Sequence, residues 1–555
     1  MTRRNRNNNG YIGTEQFRSL GGSISASKTF FIESNTNDKF SGSGVTSFNS
    51  IIPDGAGDYF EPGLNGRRPE WIALPDLVEG DQKMCGLVHI HKGSTGNTGS
   101  TADSNFVFFT CQGNYIVDWG NGVTQAFSSG QVAQYQYNFN DVAPSTETIY
   151  GYRQVVVQAY PQPGATLTAI NFKSPRGFTA GIYSTLNYTQ WGPSWIEIKI
   201  AGRFISSLSM NGGGNDSTMA TMERFEYVGE SALTSTQSLF AFMTGLRRVY
   251  GQKWLNKATN VAFMFDSCTG LLSVEDFEVS PSLTSISGLF VLCGSLERPP
   301  NLNTQNITNM SSMFFGCRKL QTIPTYNTSN VTNFSAMFRG CAALRTIPLL
   351  DTSKGTNFAQ MFQDCPALVE IPPIDTRSAT TMQEFFRGCL QIKKVPLLNT
   401  SNVTSFNGMF LNAGIPAVPW MDTSNATDMS QMFWNSPVKY IPFFDTSKNT
   451  SFQNFLQNTI IQTIPPLSGV CATSFVGMFS GCRRIKVGTI VGTSRDISYA
   501  DCSLLSSEEL NNIFSNLAVV GASGSNTRTI TITNTRGSTG CDRSIATGRG
   551  WAVSG

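Results

Sequence analysis

This sequence has little of what most enzymes and nucleic-acid binders are built from. Only two of its 555 residues are histidine, and charged residues make up 14% with a net charge of +3. Any histidine base or nucleophile partner must therefore be His89 or His91. The near-balanced charge argues against a nucleic-acid footprint. No apolar run reaches the roughly 18 residues of a membrane span. The start, MTRRNRNNNGYIG, has basic residues with no apolar stretch behind them, so a Sec signal is not expected. Phosphate-binding loops, nucleophile elbows and zinc spacings are also missing. No enzyme activity and no cofactor are expected.

What the chain has is repetition. The stretch NVTNFSAMFRGCAALRTIPLLDTS, residues 330–353, recurs in altered wording along about half the chain. Taking the second residue of each Met-Phe-like pair as marker gives Phe240, Phe265, Phe290, Phe314, Phe338, Phe362, Phe386, Phe410, Phe433, Phe455 and Phe479. The steps are 25, 25, 24, 24, 24, 24, 24, 23, 22 and 24. A period of this length with one short strand per unit is that of a leucine-rich-repeat solenoid. Cys268, Cys293, Cys317, Cys341, Cys365 and Cys389 each follow a marker by three residues, and Ala413, Ser436 and Asn458 fill the position before Cys482 resumes it. That phase predicts small buried side chains, not disulfides.

Met337, Phe338, Cys341 and Leu344 fall at i, i+1, i+4 and i+7, a helical spacing that predicts an inward apolar stripe. The prolines Pro324, Pro348, Pro372, Pro396, Pro442 and Pro465 then forbid helix and fit the end of a short strand. Asp-Thr-Ser or Asn-Thr-Ser closes each unit with turn-capping side chains. The phase of Asn306, Asn327, Asn330, Asn399, Asn402, Asn425 and Asn449 with the repeat favours turn chemistry over glycosylation.

NTSNVTNFSAMFRGCAALRTIP and DTSNATDMSQMFWNSPVKYIP resemble the BspA-like leucine-rich repeats over residues 226–485. The resemblance implies a surface-displayed binding or structural module and adhesion, not catalysis. Beyond it, SSEELNNIFSNL opens with a capping box, Ser506 to Glu509, and TRTITIT alternates as a strand; residues 486–555 read as a C-terminal helix-strand cap. Upstream, residues 67–175 alternate apolar and polar residues around Gly-rich turns, as in a β-sandwich. The Trp119-Gly120-Asn121-Gly122 hairpin signal is similar to the PKD-type signature, with Asn121 where that pattern has Asp. Residues 176–225 are expected to be a linker and N-terminal cap of the solenoid, and residues 1–66 an attachment arm. The expected class is thus multidomain, mainly β plus an α/β solenoid.

The sandwich run together with the repeats resembles a virion structural protein of tailed bacteriophages. That resemblance implies attachment to other virion proteins of tail or capsid through the arm, assembly in the host cytoplasm, and a host surface glycan or protein as target. A homotrimer suits a fibre-like role. The alternatives are a capsid decoration protein, a bacterial cell-surface adhesin and a glycan-degrading tailspike. For recognition, Thr322, Thr346, Glu370, Lys394, Tyr440 and Thr463 form one variable column before the Ile/Val-Pro pair. Trp420, Trp434, Tyr326 and Phe444 add aromatics suited to stacking. His89 and His91, two apart in LVHIH, would point to one face of a strand, and His-x-His can hold a metal on the threefold axis of a phage fibre.

Overall fold

The computed structural model describes residues 67–92, 105–172, 195–210, 219, 221–521 and 528–555. The arm at 1–66 lies outside the described residues.

Short apolar-rich strands joined by tight turns, some alternating and the central ones buried almost throughout, form a two-sheet sandwich. Its strands are β1 (Lys83–His91), β2 (Phe106–Gln112), β3 (Tyr115–Asp118), β4 (Thr124–Phe127), β5 (Val132–Gln136), β6 (Tyr152–Pro161), β7 (Ala169–Asn171), β8 (Trp195–Ala201) and β9 (Ser207–Ser209). One sheet contains β8-β1-β6-β3-β4, and the other has the order β5-β2-β7-β9. Phe109, Tyr115, Trp119, Phe172 and Trp195 are buried between them. Gly86 is required by that packing, because a Cβ there would come within 2.1 Å of the Trp195 ring.

The sandwich does not end in a linker. Strand β8 pairs antiparallel with β1 and, on its other edge, parallel with β10 (Arg224–Val228). Strands β11 (Arg248–Tyr250) and β12 (Ser273–Val274) extend the same sheet into the first coils. The described part of 176–225 is therefore sheet shared by sandwich and solenoid. An edge strand that would otherwise expose unpaired amides becomes the template for the first coil.

The solenoid is a β-solenoid of stacked coils, and the helical expectation for SAMFRGC fails. Ala336 has φ 52° and Gly340 has φ 73°, a left-handed residue every fourth position that no right-handed helix can contain. The segment is instead a run of turns. Met337 and Cys341 donate their N–H groups to Phe334 and Phe338, while Ala336, Phe338 and Gly340 donate theirs to Ala359, Met361 and Gln363 of the next coil. Alternate amides thus close a coil and join it to its neighbour, so the backbone is satisfied without helix. Four-residue turns return side chains to the interior at nearly a helix's spacing, which explains the misleading stripe.

Ring stacking follows the coils. The Phe265–Phe290, Phe314–Phe338 and Phe386–Phe410 centroids lie 5.3, 5.9 and 5.9 Å apart, with planes within 17°. The structure corrects the marker in one coil. The Leu456 N–H, not that of Phe455, bonds to Met478, and the Phe455 carbonyl accepts from Phe433. Leu456 and Thr459 hold the marker and cysteine positions, so the last steps are 23 and 23. Phe455 fills the Met column, and its ring meets Phe433 at 72°.

The C-terminal region holds β13 (Thr463–Ser468), β14 (Val487–Val491), β15 (Ile497–Ser498), α1 (Ser507–Ser515), β16 (Arg528–Thr531), α2 (Ser544–Thr547) and β17 (Trp551–Ser554). Ser506 caps α1 by accepting from the Glu509 N–H, as the sequence predicts. Glu509 does not reciprocate; its carboxylate takes the Gly488 N–H and the Thr489 hydroxyl, docking the helix on β14. Tyr499 stacks on Phe479 at 4.7 Å, and its N–H bonds to Thr531, so the turn ladder continues inside the cap.

Candidate functional site

Each coil presents the same short pattern around its proline. In Thr346-Ile347-Pro348-Leu349-Leu350, Thr346 is exposed, Ile347 buried, Pro348 half-buried, Leu349 exposed and Leu350 buried. The variable column Thr322, Thr346, Glu370, Lys394, Tyr440 and Thr463 is exposed throughout.

Sequence reasoning missed the row three residues further on. Leu349, Pro373, Leu397, Trp420, Phe443 and Pro466 occupy equivalent positions in successive coils. Leu349, Leu397, Trp420 and Phe443 are 66%, 71%, 60% and 62% exposed. Scattered apolar residues on a surface need no explanation, but six in register on one face do. The signal that could have found them is a large apolar residue after Ile/Val-Pro, immediately before the residue that fills the core. Trp420 belongs to this row. Tyr326 and Phe444 belong to the core position that follows it and are buried, with the Tyr326 hydroxyl donating to the Pro300 carbonyl. Trp434 is half-buried in the turn ladder, where its carbonyl accepts from Asn412.

A row of acceptors runs beside the apolar row. Asp351, Asp375, Asn399, Asp422 and Asp445 each accept the backbone N–H two residues on. Hydrogen bonds from Ser353 hold the Asp351 carboxyl below its usual range, and those from Arg377 and Ser447 do the same for Asp375 and Asp445. Between the acceptors lie buried threonines: the Thr352, Thr376 and Thr400 hydroxyls donate to carbonyls of the next coil, all at 2.8 Å. The Asn330 and Asn402 amides donate to Gln305 and Arg377 of the preceding coil. Leu349, Pro373, Tyr326, Ser329, Asp351 and Asp375 enclose a shallow groove where the two rows meet.

The structure brings His89 and His91 together on one face of β1, ring centroids 4.6 Å apart. They are not ordinary solvent-facing residues. His89 is 2% exposed, and Tyr152 packs on both rings. Burial, then the neighbouring His91, pushes the His89 pKa well down, so the ring is neutral. Among the described residues no group of three His, Cys, Asp or Glu side chains could hold a metal. A metal shared on a symmetry axis needs rings that reach solvent, and His89 does not.

A second buried polar cluster lies where sandwich and solenoid meet. Glu197 pairs with Arg67 and Arg224, and Glu223 with Arg68 and Arg247. Strand β8 and the residue just before β10 are thereby tied to the segment that precedes β1. Among the described residues no helix is long and apolar enough to cross a membrane.

A family model described as "Mycoplasma protein of unknown function, DUF285" matches residues 284–394 and 356–464, the central coils. No curated protein matches the chain. Among solved structures, a leucine-rich cell surface protein of Faecalibacterium prausnitzii is 15% identical, over 58% of this chain and 89% of that one, with a TM-score of 0.32. A leucine-rich repeat protein of Eubacterium ventriosum is 15% identical, over 44% of this chain and 92% of that one, with a TM-score of 0.22. The Toll–Spatzle complex of Drosophila is 13% identical, over 60% of this chain and 42% of that one, with a TM-score of 0.17. At these scores the likenesses carry no inference about this chain.

Proposed function

We propose that the protein is a non-enzymatic structural protein of a tailed-phage particle, displayed on its surface as a tail fibre or adhesin. In this reading residues 1–66 attach to other virion proteins, the sandwich is of PKD type, and the coils contact the host surface. The observation that carries the contact role is the exposed row from Leu349 to Pro466, held in register by the hydrogen-bonded coils beneath it. The phage assignment rests on the resemblance of the sandwich-plus-repeat combination. The repeat-phase carboxylates support a non-catalytic role, since Asp351 and its equivalents serve as turn acceptors.

Two measurements test the reading. Full-length protein incubated with a panel of intact bacterial cells is expected to be retained on at least one; retention on none removes the contact role. Deletion of residues 1–66 is expected to abolish incorporation into particles while the coils stay folded. Recovery in a bacterial envelope fraction with no phage proteins present would favour a cell-surface adhesin instead.

A further inference from the structure

The apolar row and the acceptor row run side by side along the same coils. From Leu349 to Pro466 there are five steps between coils, and at the usual strand spacing of about 4.8 Å the row is about 24 Å long. At the first five positions of the row, Leu349 to Phe443, a partner meets an apolar or aromatic surface, and beside it an oxygen acceptor oriented by a backbone N–H; Pro466 has Ser468 there instead. Aspartate carboxylates and the engaged asparagine oxygens accept and do not donate, so the partner must supply donors. It must also present an apolar face at regular intervals, to lie on Leu397, Trp420 and Phe443.

The charge along this face is mixed. Arg377 is bound to Asp375, and Lys354 and Lys448 donate to Asn330 and Asn425, which ties these cations to the coils. Lys394 is exposed on this face as well, but single cations do not match the line of Asp351, Asp375, Asp422 and Asp445, so a polyanion meets carboxylates along most of the row. We propose that this face binds a neutral glycan chain laid along the solenoid axis. Sugar rings stack their C–H faces on the apolar row, while their hydroxyls donate to the Asp/Asn row. The inference rests on the proposed contact role and names the chemical class of the target.

The test uses the full chain, calorimetry and three probes: neutral hexasaccharides of glucose, of galactose and of N-acetylglucosamine. A sulfated hexasaccharide serves as the anionic comparison. At least one neutral hexamer is expected to bind, with affinity reduced at least tenfold by Trp420→Ala and by Phe443→Ala, and also reduced by Asp422→Asn. Both aromatic side chains are mostly exposed, so these variants are expected to keep the wild-type melting temperature. Binding of the sulfated hexamer alone, or neutral binding indifferent to the variants, overturns the inference. So does a wild-type dimer that Trp420→Ala dissociates while no sugar binds, because the row would then be covered by a second copy. If no hexamer binds but the protein is still retained on cells, the glycan inference fails and the contact role stands. If cells do not retain it either, both fail.

Discussion

Ser436 donates its hydroxyl to the Phe410 carbonyl, the bond that the Cys389 thiol makes to the Phe362 carbonyl at 3.0 Å. The same bond recurs from Cys268, Cys293, Cys317, Cys341 and Cys365 to the marker carbonyl one coil back, at 3.0–3.1 Å. With Thr459 in place of Asn458, Ala413 is the one position from Cys268 to Cys482 in this column that lacks an S–H or O–H group; the first coil has Met243 there. The column selects a small side chain that can donate, not small size alone. The acceptor carbonyl also takes a backbone N–H within its own coil, so losing the thiol leaves no orphaned group. Cys341→Ser is expected to cost little, and Cys341→Ala about 1 kcal/mol in denaturant unfolding. A loss above about 3 kcal/mol for Cys341→Ser would contradict the assignment.

Thiol chemistry offers a second check. Ten of the twelve cysteines are buried, Cys541 is half-buried and Cys471 is exposed. Burial pushes the Cys365 and Cys111 thiols up to about 12, far from the reactive thiolate range. A thiol-reactive dye should label Cys471 quickly and Cys541 slowly, and reach the rest only on unfolding. Prompt labelling of four or more sites in the native protein would show that the column is open.

His89 sets a pH dependence. Its folded pKa is depressed, so on acidification the unfolded chain takes up a proton that the native chain refuses. Stability is therefore full above the unfolded value of about 6.5 and falls below it, by up to about 1.4 kcal/mol per pH unit. Burial pushes the Glu223 carboxyl up, which works in the opposite direction. The variant is thus the sharper test: His89→Gln should flatten the melting-temperature decline between pH 7 and pH 5.5. An unchanged decline would place its origin elsewhere.

The ion pairs at the junction should matter more than surface pairs. Arg68 and Glu223 lie 2.6 Å apart with both side chains largely buried. Removing one partner leaves a buried charge and costs about 3–5 kcal/mol. Arg68→Met is expected to expose the segment before β1 to proteolysis first, while fragments containing the coils persist. Simultaneous loss of both regions would show that the junction and the coils unfold together.

Much of the repeat could be read from sequence because one residue type recurs at one phase; Phe338 and Cys341 announce their columns. The coil's backbone could not. Ala336 in a left-handed conformation looks like any alanine, and four-residue turns imitate a helix's spacing. Phe455 drew the marker one residue out of register, since only the inter-coil hydrogen bonds distinguish it from Leu456. The exposure of Leu349 and Leu397 was not legible, because a large apolar residue beside Ile-Pro usually lies in a core. The partnership of β8 with β1 and β10 joins residues far apart in the chain, which no local pattern encodes. The burial of His89 could not be read from its neighbours in sequence, because its cover, Tyr152, comes from a distant strand.

The most direct test of the account is retention of full-length protein on intact bacterial cells, comparing wild type with Trp420→Ala/Phe443→Ala. Both side chains face solvent, so the fold is expected to survive the change. The account predicts at least a tenfold loss of retention with an unchanged melting temperature. Equal retention of the two proteins would contradict it, and would move the host contact away from the exposed row.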